Sequence, residues 1–246
     1  MIFFRKWQIE IKDINDTRKE MNKDQILLSE RQAELLALQN QINPHFLYNT
    51  LEAIRGDALK AGNKNIAEIT EALSTYFRYT ISETRSKVPL IEELENIENY
   101  FQIQQYRFGE KLQMKIDILC DNSVLEVLCL KLMLQPIIEN AIFHGLEKIR
   151  DGGLISIRIE KVDGNKLKII IHDNGVGMDE LSLKKLNEDL NNNNQIPNKK
   201  HGIALLNVNR RIQLVFGEKY GISVFSIPGI GTSVIVEIPI RNTDEK

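Results

Sequence analysis

Over its first 110 residues the chain carries almost nothing that would stop a helix. It has two prolines there, Pro44 and Pro89, and three glycines, Gly56, Gly62 and Gly109. Leu28, Leu35, Leu38, Ile42 and Phe46 fall on one face of a 3.6-residue repeat, with Glu30, Arg31 and Glu34 off it. Ala61-Gly62-Asn63-Lys64 predicts a helix stop and a turn. A second helix follows, with Ile66, Ile69, Leu73 and Phe77 as its apolar stripe. Two antiparallel helices joined by a short turn make a hairpin. A lone hairpin cannot bury both stripes, whereas two copies can bury them in a four-helix bundle. A third helix is predicted from about Leu90 to Tyr106, with Glu92 and Glu93 in its first turn as the macrodipole favours.

Beyond residue 110 the periodicity changes. Leu112 to Leu119 alternates in part, and Leu132 to His144 reads as helix. Ile155 to Lys161 and Lys166 to His172 read as half-buried strands. Ser182 to Lys200, with four asparagines from Asn191 to Asn194, reads as a mobile polar loop. Ile203 to Phe216 is a predicted helix. Ile222 to Ser226 and Ser233 to Ile238 form a predicted hairpin turning at Pro228-Gly229-Ile230-Gly231. The expected class is α+β: an N-terminal helical hairpin followed by an α/β sandwich with an antiparallel or mixed sheet and helices on one face. The expected divisions are 1–24, a leading helical segment; 25–110, the hairpin; and 111–246, the sandwich.

Composition narrows the function classes. Hydrophobic residues make up 42% and charged residues 27%, as in a soluble globular chain. Thirty-two Lys and Arg against 34 Asp and Glu give a net charge of −2, which does not suit a nucleic-acid partner. Cys120 and Cys129 are too few for a disulfide framework and no Cys/His spacing suits zinc, so a reducing cytoplasm is expected. No apolar run approaches the ~18 residues of a membrane span. The short apolar start, Met1 to Trp7, reads either as a helix start or as the stub of a signalling helix that follows a membrane segment.

Five motifs carry chemistry. Asp173-Asn174-Gly175-Val176-Gly177-Met178 follows a predicted strand. Its glycines allow a tight turn and close approach to a ligand, and its carboxylate can accept from an exocyclic amine. Alone it could be only a turn. In Glu139-Asn140-Ala141-Ile142-Phe143-His144-Gly145, Asn140 and His144 share a helix face at i and i+4. Asn140 offers a carbonyl oxygen suited to Mg²⁺, or it satisfies a loop. His201-Gly202-Ile203-Ala204-Leu205 opens a helix after a polar stretch, and free N–H groups at such a start favour phosphate. Pro228-Gly229-Ile230-Gly231-Thr232 is a Gly-rich strand turn. Finally, Gln41-Ile42-Asn43-Pro44-His45-Phe46-Leu47-Tyr48-Asn49 places a proline inside a helix, where it costs roughly 3 kcal/mol and removes the bond to the Asn40 carbonyl. The distortion falls one residue before His45, whose neutral imidazole would have a lone pair free to attack phosphorus.

Together these motifs resemble the sensor histidine kinases of the LytS/YesM type, from Leu38 to Pro239. The residues that carry the resemblance are INPHFLYNTL, Leu134-Gln135-Pro136-Ile137-Ile138-Glu139-Asn140-Ala141 with His144-Gly145, DNGVGM, and the Tyr100 to Gly109 stretch YFQIQQYRFG. The second half is similar to the ATP-binding sandwich of the GHKL type shared with gyrase and MutL. The resemblance implies ATP and Mg²⁺ as cofactors, a homodimer formed through the hairpin, and γ-phosphoryl transfer to His45. The next acceptor would be an aspartate on the receiver domain of a response regulator. It also implies the cytosolic part of a cell-membrane sensor, held at the membrane only through a region N-terminal to this chain. Carried over by position, His45 is the phospho-acceptor and Asn49 orients its ring. Asn140 holds Mg²⁺, Asp173 accepts from the adenine amine, and Gly175 and Gly177 shape its turn. His144, Gly202, Leu205, Gly231 and Thr232 complete the nucleotide site, and about Met178 to Lys200 form a lid.

Two positions depart from the family pattern. Ala204 stands where a second glycine is common, and is tolerated if that residue is already helical. Phe46 stands where many histidine kinases of other types carry an acid as base, so the base stays unassigned, with Glu139, the neighbour of Asn140, as one candidate. Two rival readings stand beside the kinase. One is a degenerate ATP-binding scaffold that only dimerises. The other is a gyrase-like ATPase, which would need a glutamate where Pro136 stands.

Overall fold

The computed structural model describes residues 44–82, 85–147, 149, 151–163, 165–191 and 202–240. The stripe from Leu28 to Ile42, the segment 1–24 and the turn from Asn40 over which Pro44 is expected to bend the helix lie outside the described residues. The chain divides into two compact units, 1–49 and 50–246, and the division falls inside the first described helix.

That helix is α1 (Pro44–Lys60). It ends at the predicted turn, where Gly62 takes a φ of 70°. Asn63 then caps α2 (Lys64–Ile81), its Oδ1 accepting the Ile66 N–H at 3.3 Å. The covered face of α2 differs from the predicted one. Ala67, Thr70 and Ser74 are buried, whereas Ile66 is exposed and Ile69, Leu73 and Phe77 are half-buried. Small side chains allow close packing within the chain and leave the large stripe at its edge. Ile54 and Leu59 of α1 are exposed as well.

Strand β1 (Lys87–Pro89) leads into α3 (Leu90–Phe108), longer than predicted, and then β2 (Leu112–Ile118). Glu93 does not decorate the start of α3 as a surface acid would: it is fully buried. Strand β3 (Leu128–Leu130) pairs antiparallel with β1. The predicted helix from Leu132 starts later, as α4 (Gln135–Asn140), and continues as a π-helical segment, Ala141–Leu146. Leu132 cannot start it, because its φ is 56°.

The main sheet has the order β2-β4-β5-β7-β6, with β4 (Gly153–Val162), β5 (Lys166–Asp173), β6 (Gly221–Ile227) and β7 (Gly231–Pro239). β2 runs parallel to β4 and the other pairs are antiparallel, so the sheet is mixed. Alternation places Ile155, Ile157 and Ile159 of β4 and Leu167, Ile169 and Ile171 of β5 on the buried face. On the outer face Lys168 pairs with Glu160 and Lys166 with Glu237, each at 3.2 Å. With one face buried, the sheet needs one covering layer. α4 supplies Ile137 and Ile138, the π-helical segment supplies Ile142, and α6 (Ile203–Phe216) supplies Leu206, Val208 and Ile212. Leu90, Leu94, Ile97, Tyr100 and Phe101 of α3 belong to the same core.

The segment expected as a loop from Ser182 is largely helix, α5 (Glu180–Asn191). Leu183, Leu186 and Leu190 recur at helical spacing and pack on the core. Asp179 caps the helix, accepting from the Ser182 N–H at 2.9 Å and the Ser182 hydroxyl at 2.8 Å. Residues 192–200 of the expected lid lie outside the described residues. Among the described residues, no helix is long and apolar enough to cross a membrane.

Candidate nucleotide and phosphotransfer sites

The inward row of β5 runs Leu167, Ile169, Ile171 and ends at Asp173. The period of two that buries three apolar side chains therefore buries a carboxylate at the strand's end. Asp173 is 5% exposed. Burial pushes its carboxyl above the usual carboxylate range, and the Gly175 N–H, 2.9 Å from Oδ1, works against that shift.

Glycines crowd around it for a steric reason. A Cβ on Gly145 would lie 2.5 Å from Asp173 Oδ1, and one on Gly175 would meet the same oxygen at 2.5 Å. A Cβ on Gly231 would lie 1.9 Å from the Asp173 carbonyl oxygen. Gly177 has a φ of 68°, and a Cβ there would overlap the Ile227 carbonyl. The turn is pinned on two sides. The Val176 N–H donates to the Gly145 carbonyl at 3.1 Å, and the Val176 carbonyl accepts from Gly229 at 2.7 Å. Ser226 Oγ accepts the Met178 N–H at 2.8 Å and lies 2.9 Å from Thr232 Oγ1. Asn174, which the sequence left unassigned, holds the start of β4 by accepting from Leu154 at 2.7 Å and donating to the Gly152 carbonyl at 2.8 Å.

The π-helical turns bring Gly145 against Asp173 and leave His144 exposed about one turn from the half-buried Asn140. The Asn140 amide makes no hydrogen bond among the described residues, so its carbonyl oxygen is available to a hard cation. No cluster of His, Cys, Asp or Glu among the described residues could hold a metal ion on its own. Glu139 accepts from Gln135 Nε2 at 2.8 Å. Gly202 sits in the left-handed region at φ 82° before α6. Ala204 lies inside the first turn of α6, where a Cβ is accommodated. Leu205 is buried in the core.

The structure thus brings Gly145, Asp173, Gly175, Gly177, Gly231 and Thr232 together, with Asn140 and His144 on one helix. In the other unit His45 is exposed on α1, and Asn49 Nδ2 lies 3.3 Å from its Nδ1. Sequence reasoning missed Glu93, Gln135 and Arg211. Their only sequence signal is placement: Glu93 lies in the arc of α3 that also holds Ile97 and Tyr100.

Comparison with known proteins matches both halves. The "Histidine kinase" family model covers residues 33–112. The model of the "Histidine kinase-, DNA gyrase B-, and HSP90-like ATPase" family covers residues 127–242. Sensor histidine kinase YesM of Bacillus subtilis is 37% identical over 97% of this chain, which spans 38% of that protein. Sensor protein LytS of Oceanobacillus iheyensis is 35% identical over 86% of the chain, which spans 35% of it. The YwpD protein of Bacillus subtilis is 33% identical over 85% of the chain and 71% of its own length. Matched across both halves in the same order, the chain belongs to the sensor histidine kinases of the LytS/YesM type, protein histidine kinases with a GHKL-type ATP-binding domain.

Proposed function

We propose that the chain is a kinase core that uses ATP to phosphorylate His45 and then passes the phosphoryl group to an aspartate on a response-regulator receiver domain. A His45 ring nitrogen bonds to the γ-phosphorus, the bond from that phosphorus to the β–γ bridging oxygen breaks, ADP leaves, and the ring gives up a proton. The observation that carries this reading is Asp173: a buried carboxylate in a cradle that a Cβ on Gly145, Gly175 or Gly231 would fill. Such a site suits a flat base with an exocyclic amine. Asn140 would hold Mg²⁺ with water and the phosphates, supplying charge neutralisation. Gly202 and the first N–H groups of α6 would face the phosphates. Residues 25–110 would serve dimerisation and phosphotransfer, and 111–246 nucleotide binding. The exposed Ile54, Leu59 and Ile66 are apolar surface that a second hairpin would bury. Membership of a sensor family supports a cytosolic location beneath a membrane-bound sensor region. The helical setting of Ala204 removes the main argument for a degenerate scaffold.

The test is incubation with γ-labelled ATP and Mg²⁺. Acid-labile, alkali-stable label lost in His45→Gln is the expected result. Absence of label on the wild type, with ATP bound, would refute the kinase reading.

A further inference from the structure

Two tyrosine hydroxyls on α2 connect the hairpin to α4. Tyr79 donates to the Glu93 carboxylate. That carboxylate also accepts the N–H groups of Leu132, Met133 and Leu134, at 2.6, 2.9 and 3.0 Å. These donors lead into α4, so Glu93 caps that helix from a different element. The same turn is also held by Arg211 of α6, which donates to the carbonyls of Lys131 at 2.6 Å and Leu132 at 3.3 Å. Lys131 in turn donates to Ser82 Oγ at 2.8 Å, just past the end of α2.

The second hydroxyl acts at Gln135, the first residue of α4. Gln135 is buried, and its Nε2 donates to the Tyr76 oxygen at 2.6 Å and to Glu139 Oε1 at 2.8 Å. Its Oε1 accepts from Asn96 of α3 at 2.9 Å. Three helices therefore meet at one amide. Buried polar junctions of this kind add little stability over an apolar packing of the same shape, but they fix relative placement.

We propose that Tyr76 and Tyr79 are positioning residues through which the second hairpin helix fixes the placement of α4, and with it Glu139 and Asn140 at the phosphate end of the site. A shift of α2 must either break both hydroxyl contacts or carry α4 with it. The adenine end, held by Asp173 and its glycines, shares no hydrogen bond with either tyrosine. The roles of Glu139 and Asn140 rest on the kinase reading, and the test separates the two.

Tyr76→Phe/Tyr79→Phe keeps both rings, so the fold should persist. ATP affinity is measured calorimetrically in EDTA and again with Mg²⁺, and labelling is followed at saturating ATP. The EDTA affinity should stay within about twofold. The gain in affinity on adding Mg²⁺ should fall about fivefold and the labelling rate about tenfold, the scale of one or two lost hydrogen bonds. In a Gln135→Met background, Tyr76→Phe should change the rate by less than about twofold, because the amide through which the hydroxyl acts is already gone. An unchanged Mg²⁺ gain and rate with a lower melting temperature would make the hydroxyls merely structural and overturn the proposal. Independent, multiplying rate effects would also overturn it. If the wild type takes no label while the double variant still loses its Mg²⁺ gain, the kinase reading falls and the positioning stands.

Discussion

Gly145→Ala should separate folding from nucleotide binding. The new Cβ would lie 2.5 Å from Asp173 Oδ1 and 2.9 Å from its Cγ. Ordinary contacts are about 3.5 Å, so the carboxylate must retreat by about 1 Å. Oδ1 already accepts from Gly175 at 2.9 Å, and a retreat of that size would stretch this bond past a useful length. A hydrogen bond to a charged acceptor is worth about 1.5–3 kcal/mol, so losing the one to adenine should weaken ATP binding about 10- to 100-fold. Stability should fall by about 1–2 kcal/mol, because alanine is favoured over glycine in a helix by about 0.5–1 kcal/mol, which offsets only part of the lost Gly175 bond. Gly56→Ala is the control: it lies within α1 with nothing within 4 Å of an added Cβ. It should raise the melting temperature by about 1–4 °C and leave ATP binding unchanged. Calorimetric ATP titrations and thermal melts on both variants supply the numbers. Wild-type ATP affinity in a folded Gly145→Ala protein would refute the placement of adenine at Asp173.

His45→Gln should abolish labelling and leave ATP affinity within about threefold, since His45 belongs to a different unit from Asp173; label retained in the variant would remove His45 as acceptor. Asp173→Asn should weaken ATP strongly, and GTP, with a carbonyl in place of the amine, should bind the wild type poorly; equal affinities by calorimetry would refute the role. The ionised carboxylate is the acceptor and burial raises its pKa, so ATP affinity should fall as pH drops through that raised value, earlier than for an exposed aspartate. Its charged form is the one that burial disfavours, so its contribution to fold stability should change in the opposite sense, improving as pH falls; ATP titrations and melts across one descending pH series check both signs. A fragment of residues 111–246 should fail to fold, because it loses the five α3 core residues from Leu90 to Phe101. At about 1.5–3 kcal/mol each their burial is comparable to a whole domain's stability; a sharp cooperative melt of that fragment would refute the estimate.

The strands were legible because burial on one face imposes a period of two. Ile155, Ile157 and Ile159 announce both the strand and the side that packs. The hairpin turns were legible because Gly62 and the stretch from Gly229 to Gly231 need backbone freedom that few residues have. The turn at Asp173 was legible for the same reason. α5 was not. Its leucines are diluted among Lys184, Lys185, Asn187, Glu188 and Asp189, and the asparagine run just past it pulled the reading toward loop. The covered face of α2 was not legible either, because hydrophobicity ranks Ile66 above Ala67 while packing within one chain chose the smaller residue.

Glu93 shows a deeper limit. An acid in the first turn of a helix is favoured by the macrodipole wherever that helix lies, so sequence alone reads it as surface. Its burial depends on a partner 39 to 41 residues away, the three N–H groups of Leu132 to Leu134. Leu132 at φ 56° frees those donors from helix geometry and points them at one carboxylate. The sequence reading divided the chain at residue 110, and the two family models lie on either side of residues 113–126. The core runs unbroken from α3 into the sheet, and β1 pairs with β3 across the same interval. Function and packing therefore cut this chain in different places. A hairpin helix joined to the nucleotide half through hydroxyls, a carboxylate and a shared core can pass a displacement to α4 directly, with no free linker to absorb it.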